Sequence, residues 1–251
     1  MSEPYIPNNL QKAAQRGEPS YVWRAGQERR LTMIRQYGAE TIHGRLLVNG
    51  CGLGEYLTRL APDTELSVGL DIELPRLLNV KKSNAHLVCA AGEHLPFRSK
   101  EFTAVLSNEV IEHVEDDRLA VKEISRSLKT GGAFILFCPN RGYPFETHGI
   151  YWRNKYSFGN KLFINYLPRG LRDKLAPHVR VYTRRDLRNL FKTLPMTAQV
   201  RTTIFGAYDN IIEKFPFIGK ALRAVLHFFE ITPLNRFGLS HFWVVRKEKR
   251  S

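Results

Sequence analysis

The feature that most restricts this chain is the run Leu46-Leu47-Val48-Asn49-Gly50-Cys51-Gly52-Leu53-Gly54, an apolar strand that passes straight into a glycine-rich turn and then into a helix. Glycines spaced this way let a ligand approach backbone that a Cβ would shield. A turn of this kind needs a sheet to hold it, and the sequence supplies one. Short apolar runs bounded by turn residues predict strands at Arg45–Asn49, Leu66–Asp71, Leu87–Ala90, Phe102–Leu106 and Ala133–Cys138. Helical patterns fall between them at Gly54–Leu60, Pro75–Lys82 and Asp117–Leu128, the last closed by Gly131-Gly132. Such alternation predicts a mainly parallel sheet with helices on both faces. A helix over Thr183–Leu194, with Thr183 as N-cap, and strands around Gln199–Phe205 and Ser240–Arg246 complete the pattern at seven strands.

With 251 residues and 43% apolar content, the chain can bury one full α/β core. Residues 1–44 are expected to form a leading segment with a helix through Gln27–Tyr37, and residues 45–251 the domain proper. The alternation is interrupted at about 141–180, where aromatic and basic residues mix as in an inserted cap, and again at about 209–238. No apolar run reaches the roughly 18 to 20 residues that cross a bilayer, and the first residues lack a secretory layout, so a soluble, cytoplasmic protein is expected. Cys51, Cys89 and Cys138 lie in or beside apolar segments without paired spacing and read as reduced core residues. Residues 1–140 balance 17 basic against 17 acidic groups. Residues 141–251 hold 21 basic against 7 acidic, so the whole excess of 14 lies there. That asymmetry points either to an anionic acceptor or surface, or to solubility alone.

A dinucleotide fingerprint would need a third glycine at position 55, where Glu55 would repel a pyrophosphate. The second strand ends in Asp71, about 20 residues beyond Gly50, the offset at which a carboxylate accepts ribose hydroxyls; the other reading of Asp71 is a helix N-cap. The GxGxG spacing, the run Ala90-Ala91-Gly92-Glu93-His94-Leu95-Pro96-Phe97, the run Phe102 to His113, Arg126-Ser127-Leu128-Lys129-Thr130-Gly131-Gly132 and Cys138-Pro139-Asn140 together resemble the type 11 group of class I S-adenosylmethionine-dependent methyltransferases. The resemblance implies a Rossmann-like, seven-stranded, mainly parallel sheet and S-adenosylmethionine as cofactor. It also implies that Gly50 and Gly52 lie against the aminoacyl part, with Cys51 and Gly54 of the same turn binding the cofactor too, Asp71 on the ribose, Ile72 on the adenine face, Gly92 and Glu93 at the adenine edge, and Asn108 near the sulfonium. Three acids of the family pattern are replaced here by Val48, Ala91 and Thr103, which leaves Asn49, Glu93 or backbone groups to supply the missing polar contacts.

Methyl transfer from a sulfonium asks little of the protein beyond aligning the acceptor and, where needed, taking its proton. If a helix starts at Glu109, then Glu109, Glu112 and His113 share one face, and either His113 is a general base or the three bind a divalent metal. Similar ExxEH clusters occur in metal-dependent RNA 2′-O-methyltransferases and in quinone O-methyltransferases, and the former place a further histidine where His178 stands here. The plainer reading is a polar turn with a packed histidine. Arg141, Tyr143, His148, Tyr151, Trp152, Arg153 and Lys155 either clamp an anionic acceptor or build the inserted segment's own core. Leu222, Val225, Leu226 and Phe229 share a helical face that either rests on a membrane or is buried. The expected acceptor is thus a small or lipid-like anionic molecule. The alternatives are RNA, handled with a divalent metal, and no acceptor at all in a catalytically silent binding module.

Overall fold

The short apolar runs predicted as strands are realised as a sheet buried on both faces. The computed structural model describes residues 23–81, 83–153 and 155–248; the start of the leading segment and Lys82 lie outside them. Seven strands, β1 (Arg45–Asn49), β2 (Leu66–Asp71), β3 (His86–Cys89), β4 (Phe102–Asn108), β5 (Leu128–Pro139), β6 (Met196–Ile204) and β7 (Ser240–Lys247), form one sheet in the order β6-β7-β5-β4-β1-β2-β3. β1 to β5 pair in parallel, while β7 runs antiparallel to both its neighbours. The sheet is therefore Rossmann-like and mainly parallel, with a single reversed strand.

Successive side chains on a strand point to opposite faces, and each face has its own core. Leu46, Val48, Leu106, Ile135 and Phe137 meet Leu31 and Ile34 of α1 (Ala25–Ile42) and Leu57 of α2 (Glu55–Leu60). Leu47, Leu70, Val105, Phe134 and Leu136 meet Val121 and Ile124 of α4 (Asp117–Ser127) and Leu187 and Phe191 of α6 (Arg184–Phe191). Between them in the chain, α3 is Leu74–Leu78 and α5 is Arg169–Leu175. Burial on both faces explains why the strands read as almost unbroken apolar runs.

The boundaries differ from the sequence reading where glycine was taken as a helix stop. α4 ends at Ser127 and β5 starts at once; the Gly131-Gly132 pair lies inside that strand, where the register with β4 slips between Phe102 and Ala104 and Gly131 takes φ +81. The cysteines also differ from expectation. Cys138 is buried, but Cys51 is half-buried and Cys89 is exposed at the end of β3, the strand at the sheet's edge.

Residues 141–180 fold as two short antiparallel pairs, Phe145–Glu146 with Lys161–Leu162 and Ile150–Trp152 with Lys155–Ser157, followed by α5. Their centre is an ion pair between Arg172 and Glu146 at 2.6 Å, both fully buried. Residues 209–238 hold α7 (Asp209–Lys214), α8 (Pro216–Phe229) and a short 3-10 turn. α8 departs from an ordinary surface helix. Phe217, Ala221, Val225 and Phe228 fall on one stripe by the 3.6-residue period, yet all face outward. Phe217 is 91% exposed, and Ile218, Leu222 and the following Ile231 stand beside it in solvent. Of the face anticipated from sequence, Leu222 and Val225 are exposed and Leu226 and Phe229 half-buried. Among the described residues, no helix is long and apolar enough to cross a membrane.

Candidate functional site

The C-terminal ends of β1, β2 and β4 open into a pocket of about 980 Å³. Its floor is the glycine turn, where Gly50, Gly52 and Gly54 all take left-handed φ values of +69, +55 and +77. At Gly50 a Cβ would run into the side chain of Val110. The turn is tied to the second strand: Cys51 N–H donates to Leu70 O at 2.8 Å, and Gly52 N–H donates to Asp71 Oδ2 at 2.8 Å. Asp71 Oδ1 accepts from Glu73 N–H at 2.9 Å, and Glu73, not Asp71, is the N-cap residue of α3. Each oxygen keeps acceptor capacity toward the pocket it lines.

Asn49 is buried at the end of β1 with neither its amide nitrogen nor its oxygen hydrogen-bonded, and it lines the same pocket. An orphaned buried amide is costly, so it marks a place where a ligand's polar groups are expected. Gly92 packs against it so closely that a Cβ would come within 3.2 Å of that amide. Ile72 presents half its surface at the pocket wall. Glu93 Oε1 accepts from Glu115 N–H at 2.6 Å, which ties the loop after β3 to the stretch that leads into α4.

Arg30 of α1 was not foreseen. Its guanidinium reaches across to Asn108 Oδ1 at 2.6 Å and Glu109 Oε1 at 2.8 Å, and lies over the Phe137 ring. Arg24, Arg29 and Tyr56 also line the pocket. The only hint in the sequence was a doubled arginine on an amphipathic helix, a pattern common on solvated faces.

The helix expected to start at Glu109 is instead a turn, with Glu109 itself at φ +54, so the side chains are not arrayed at helical spacing. Glu109 pairs with Arg30 and accepts from Ser240 Oγ at 2.7 Å. Burial, the largest single effect, would raise its pKa, but the Arg30 guanidinium together with hydrogen bonds to Glu112 and Ser240 outweighs it and holds the carboxyl below the usual carboxylate range. Glu112 goes the other way: burial first, then the neighbouring Glu109 carboxylate, push it well up. His113 is depressed to about 4 by burial and then by nearby His148, and its Nδ1 lies 3.3 Å from His178 O.

The expected metal set is redrawn accordingly. Among the described residues, one donor atom from each of Glu112, His113 and His148 lies within 4.8 Å of the other two. Glu109 is engaged with Arg30, and His178 packs its ring against Tyr151 and Tyr156, so neither joins the group. His148 was read only as part of an aromatic and basic segment. No described residue of 141–180 lines the pocket; there Tyr143 packs on Phe145 and Tyr151 on Tyr156, while Trp152 and Phe158 stand exposed.

Residues 47–136 match the family model described as a methyltransferase domain. A protein of Methanocaldococcus jannaschii is 34% identical over 93 residues, covering 37% of this chain and 43% of its own. A Mycolicibacterium smegmatis protein named as a probable S-adenosylmethionine-dependent methyltransferase is 28% identical over 139 residues, 54% of each chain. The match thus spans about half the length of these curated relatives. The crystal structure of an S-adenosylmethionine-dependent methyltransferase from Mesorhizobium loti superimposes with a TM-score of 0.62 at 16% identity, covering 89% of this chain and 98% of that one, a likeness of fold. Residues 47–136 thus resemble a methyltransferase domain, and the sheet around them has the Rossmann-like fold of class I S-adenosylmethionine-dependent methyltransferases. The cofactor of that class, S-adenosylmethionine, fits the glycine cradle, the Asp71 carboxylate and the unpaired Asn49 amide.

Proposed function

We propose that the chain is an active methyltransferase, working in the cytoplasm, whose acceptor is an anionic, lipid-like molecule taken from a membrane surface. S-adenosylmethionine, when bound, supplies a methyl group already activated by its sulfonium charge. The glycine turn and Asn49 would hold its aminoacyl end, Asp71 its ribose, Ile72 the adenine face, and Gly92 and Glu93 the adenine edge. Asn108, oriented by Arg30, would stand at the sulfonium end. His113 lines the remaining part of the pocket, where its imidazole would face the acceptor side of the methyl group.

The observation that carries the lipid reading is the outward apolar stripe of α8. An amphipathic helix with basic residues beside its apolar face lies in a membrane interface. Here Lys220 lies on the helix beside the stripe, within the half of the chain that holds the whole positive excess. The helix is also fastened to the pocket rim. Glu230 pairs with Arg29 and accepts from Phe205 N–H at 2.8 Å, and His227 Nε2 lies 3.2 Å from Gly206 O. A membrane that held α8 would therefore face the pocket mouth.

Incubation with methyl-labelled S-adenosylmethionine and, separately, a total lipid extract or total RNA tests the reading. Label entering the organic phase is expected. Label confined to RNA would replace the lipid acceptor with a nucleic acid, and cofactor binding without transfer to either would favour a silent module.

A further inference from the structure

We propose that Glu112, His113 and His148 form a binding site for one divalent transition-metal ion, of the zinc or manganese kind, set in the wall of the pocket. The donors converge from two separate stretches, the turn after β4 and the segment 141–180, to within 4.8 Å of one another. Ligand bonds near 2 Å place donor atoms roughly 3 to 4 Å apart, so small side-chain rotations close the shell.

The surroundings of each donor are those of a metal ligand. His148 Nδ1 lies 3.0 Å from Glu146 Oε1, and the other oxygen of Glu146 is fixed by Arg172 at 2.6 Å. His113 Nδ1 is turned to the carbonyl of His178. Both imidazoles thus have one nitrogen engaged by an acceptor, which fixes the tautomer and leaves Nε2 as the nitrogen for an ion, the arrangement of carboxylate–histidine–metal sites. Glu112 is 1% exposed; its carboxyl lies against that of Glu109 and bonds neither adjacent histidine. Two imidazoles and one carboxylate suit zinc, manganese or iron(II) rather than calcium or magnesium, which prefer all-oxygen shells. Three protein ligands leave a position open, as catalytic sites do. Only His113 of the three lines the pocket, so that position opens at its wall; if the chain methylates an acceptor, as proposed above, an acceptor oxygen is the natural fourth ligand.

Calorimetric titration of the chelator-treated protein with zinc chloride, and separately with manganese chloride, tests the site without any acceptor. Uptake of one ion per chain is expected. Glu112→Gln and His148→Ala should each weaken it at least tenfold, and Glu146→Gln by about tenfold or more through the histidine it orients. S-adenosylhomocysteine titrated into the same variants should bind as it does to the unsubstituted protein, showing that they fold. Absence of stoichiometric uptake, or uptake unchanged in both Glu112→Gln and His148→Ala, would overturn the proposal. Ion uptake in a protein that transfers no methyl group would leave the metal site standing and remove the activity, and methyl transfer with no ion uptake would do the reverse.

Discussion

Asp71 does two jobs at once. Its carboxylate pins the glycine turn through Gly52 and also faces the pocket. Asp71→Asn keeps an oxygen for one backbone N–H but loses the charge-assisted acceptor for ribose hydroxyls, a contact of about 1.5–3 kcal/mol. S-adenosylhomocysteine affinity, read by calorimetry, should therefore fall about ten- to a hundredfold while circular dichroism stays native. Gly50→Ala meets two obstacles, a left-handed φ that costs about 1–2 kcal/mol and collision with Val110. Its urea midpoint should drop, and cofactor binding should be lost with it. At this scale the sequence carried the glycine cradle and Asp71, because both follow from one strand–turn–helix unit and a fixed offset. It did not carry Arg30 as a site residue or His148 as a metal ligand. Their roles come from tertiary approach, Arg30 across the sheet to Glu109 and His148 from a separate segment to His113.

Among the elements, β1 and β2 were legible to the residue, since apolar runs bounded by turn residues leave little choice of ends. The helix at Glu109 was misjudged because spacing alone does not report a positive φ. α6 shows local chemistry agreeing with packing: Thr183 Oγ1 accepts from Asp186 N–H at 3.2 Å, and the Asp186 carboxylate accepts from Thr183 N–H at 2.8 Å. Thr183→Ala should cost about 1 kcal/mol in chemical denaturation. α8 makes the opposite case, for its exposed phenylalanines contact little within the chain. Replacing Phe217 and Phe228 together with serine should leave stability within about 0.5 kcal/mol. Sedimentation with phosphatidylglycerol vesicles should fall severalfold in that variant, whereas unchanged sedimentation would remove the helix from any membrane role.

The molecule as a whole stacks its buried ionisable groups at one end of the sheet, and this sets how its stability follows pH. Strand order could not be read from sequence, so nothing predicted that β7 would bring His241 beside Glu109 and Tyr182. His241 is buried, its Nε2 lies 2.8 Å from Tyr182 O, and burial depresses its pKa from 6.5 to about 4. The folded protein thus keeps it neutral where the unfolded chain already binds a proton. Its contribution is complete above about pH 6.5 and is lost as pH falls from there toward 4. His113, depressed to about 4, acts in the same direction. Glu112 acts in the opposite one, since its raised pKa favours the folded state at low pH and withdraws that support as pH rises. Stability should therefore decline from pH 7.5 to 5. His241→Gln, which offers an amide donor to the Tyr182 carbonyl but no titrating ring, should remove about 2 kcal/mol of that decline. Urea unfolding of both proteins at the two pH values measures the difference directly. Equal declines would show that His241 is not the group that titrates.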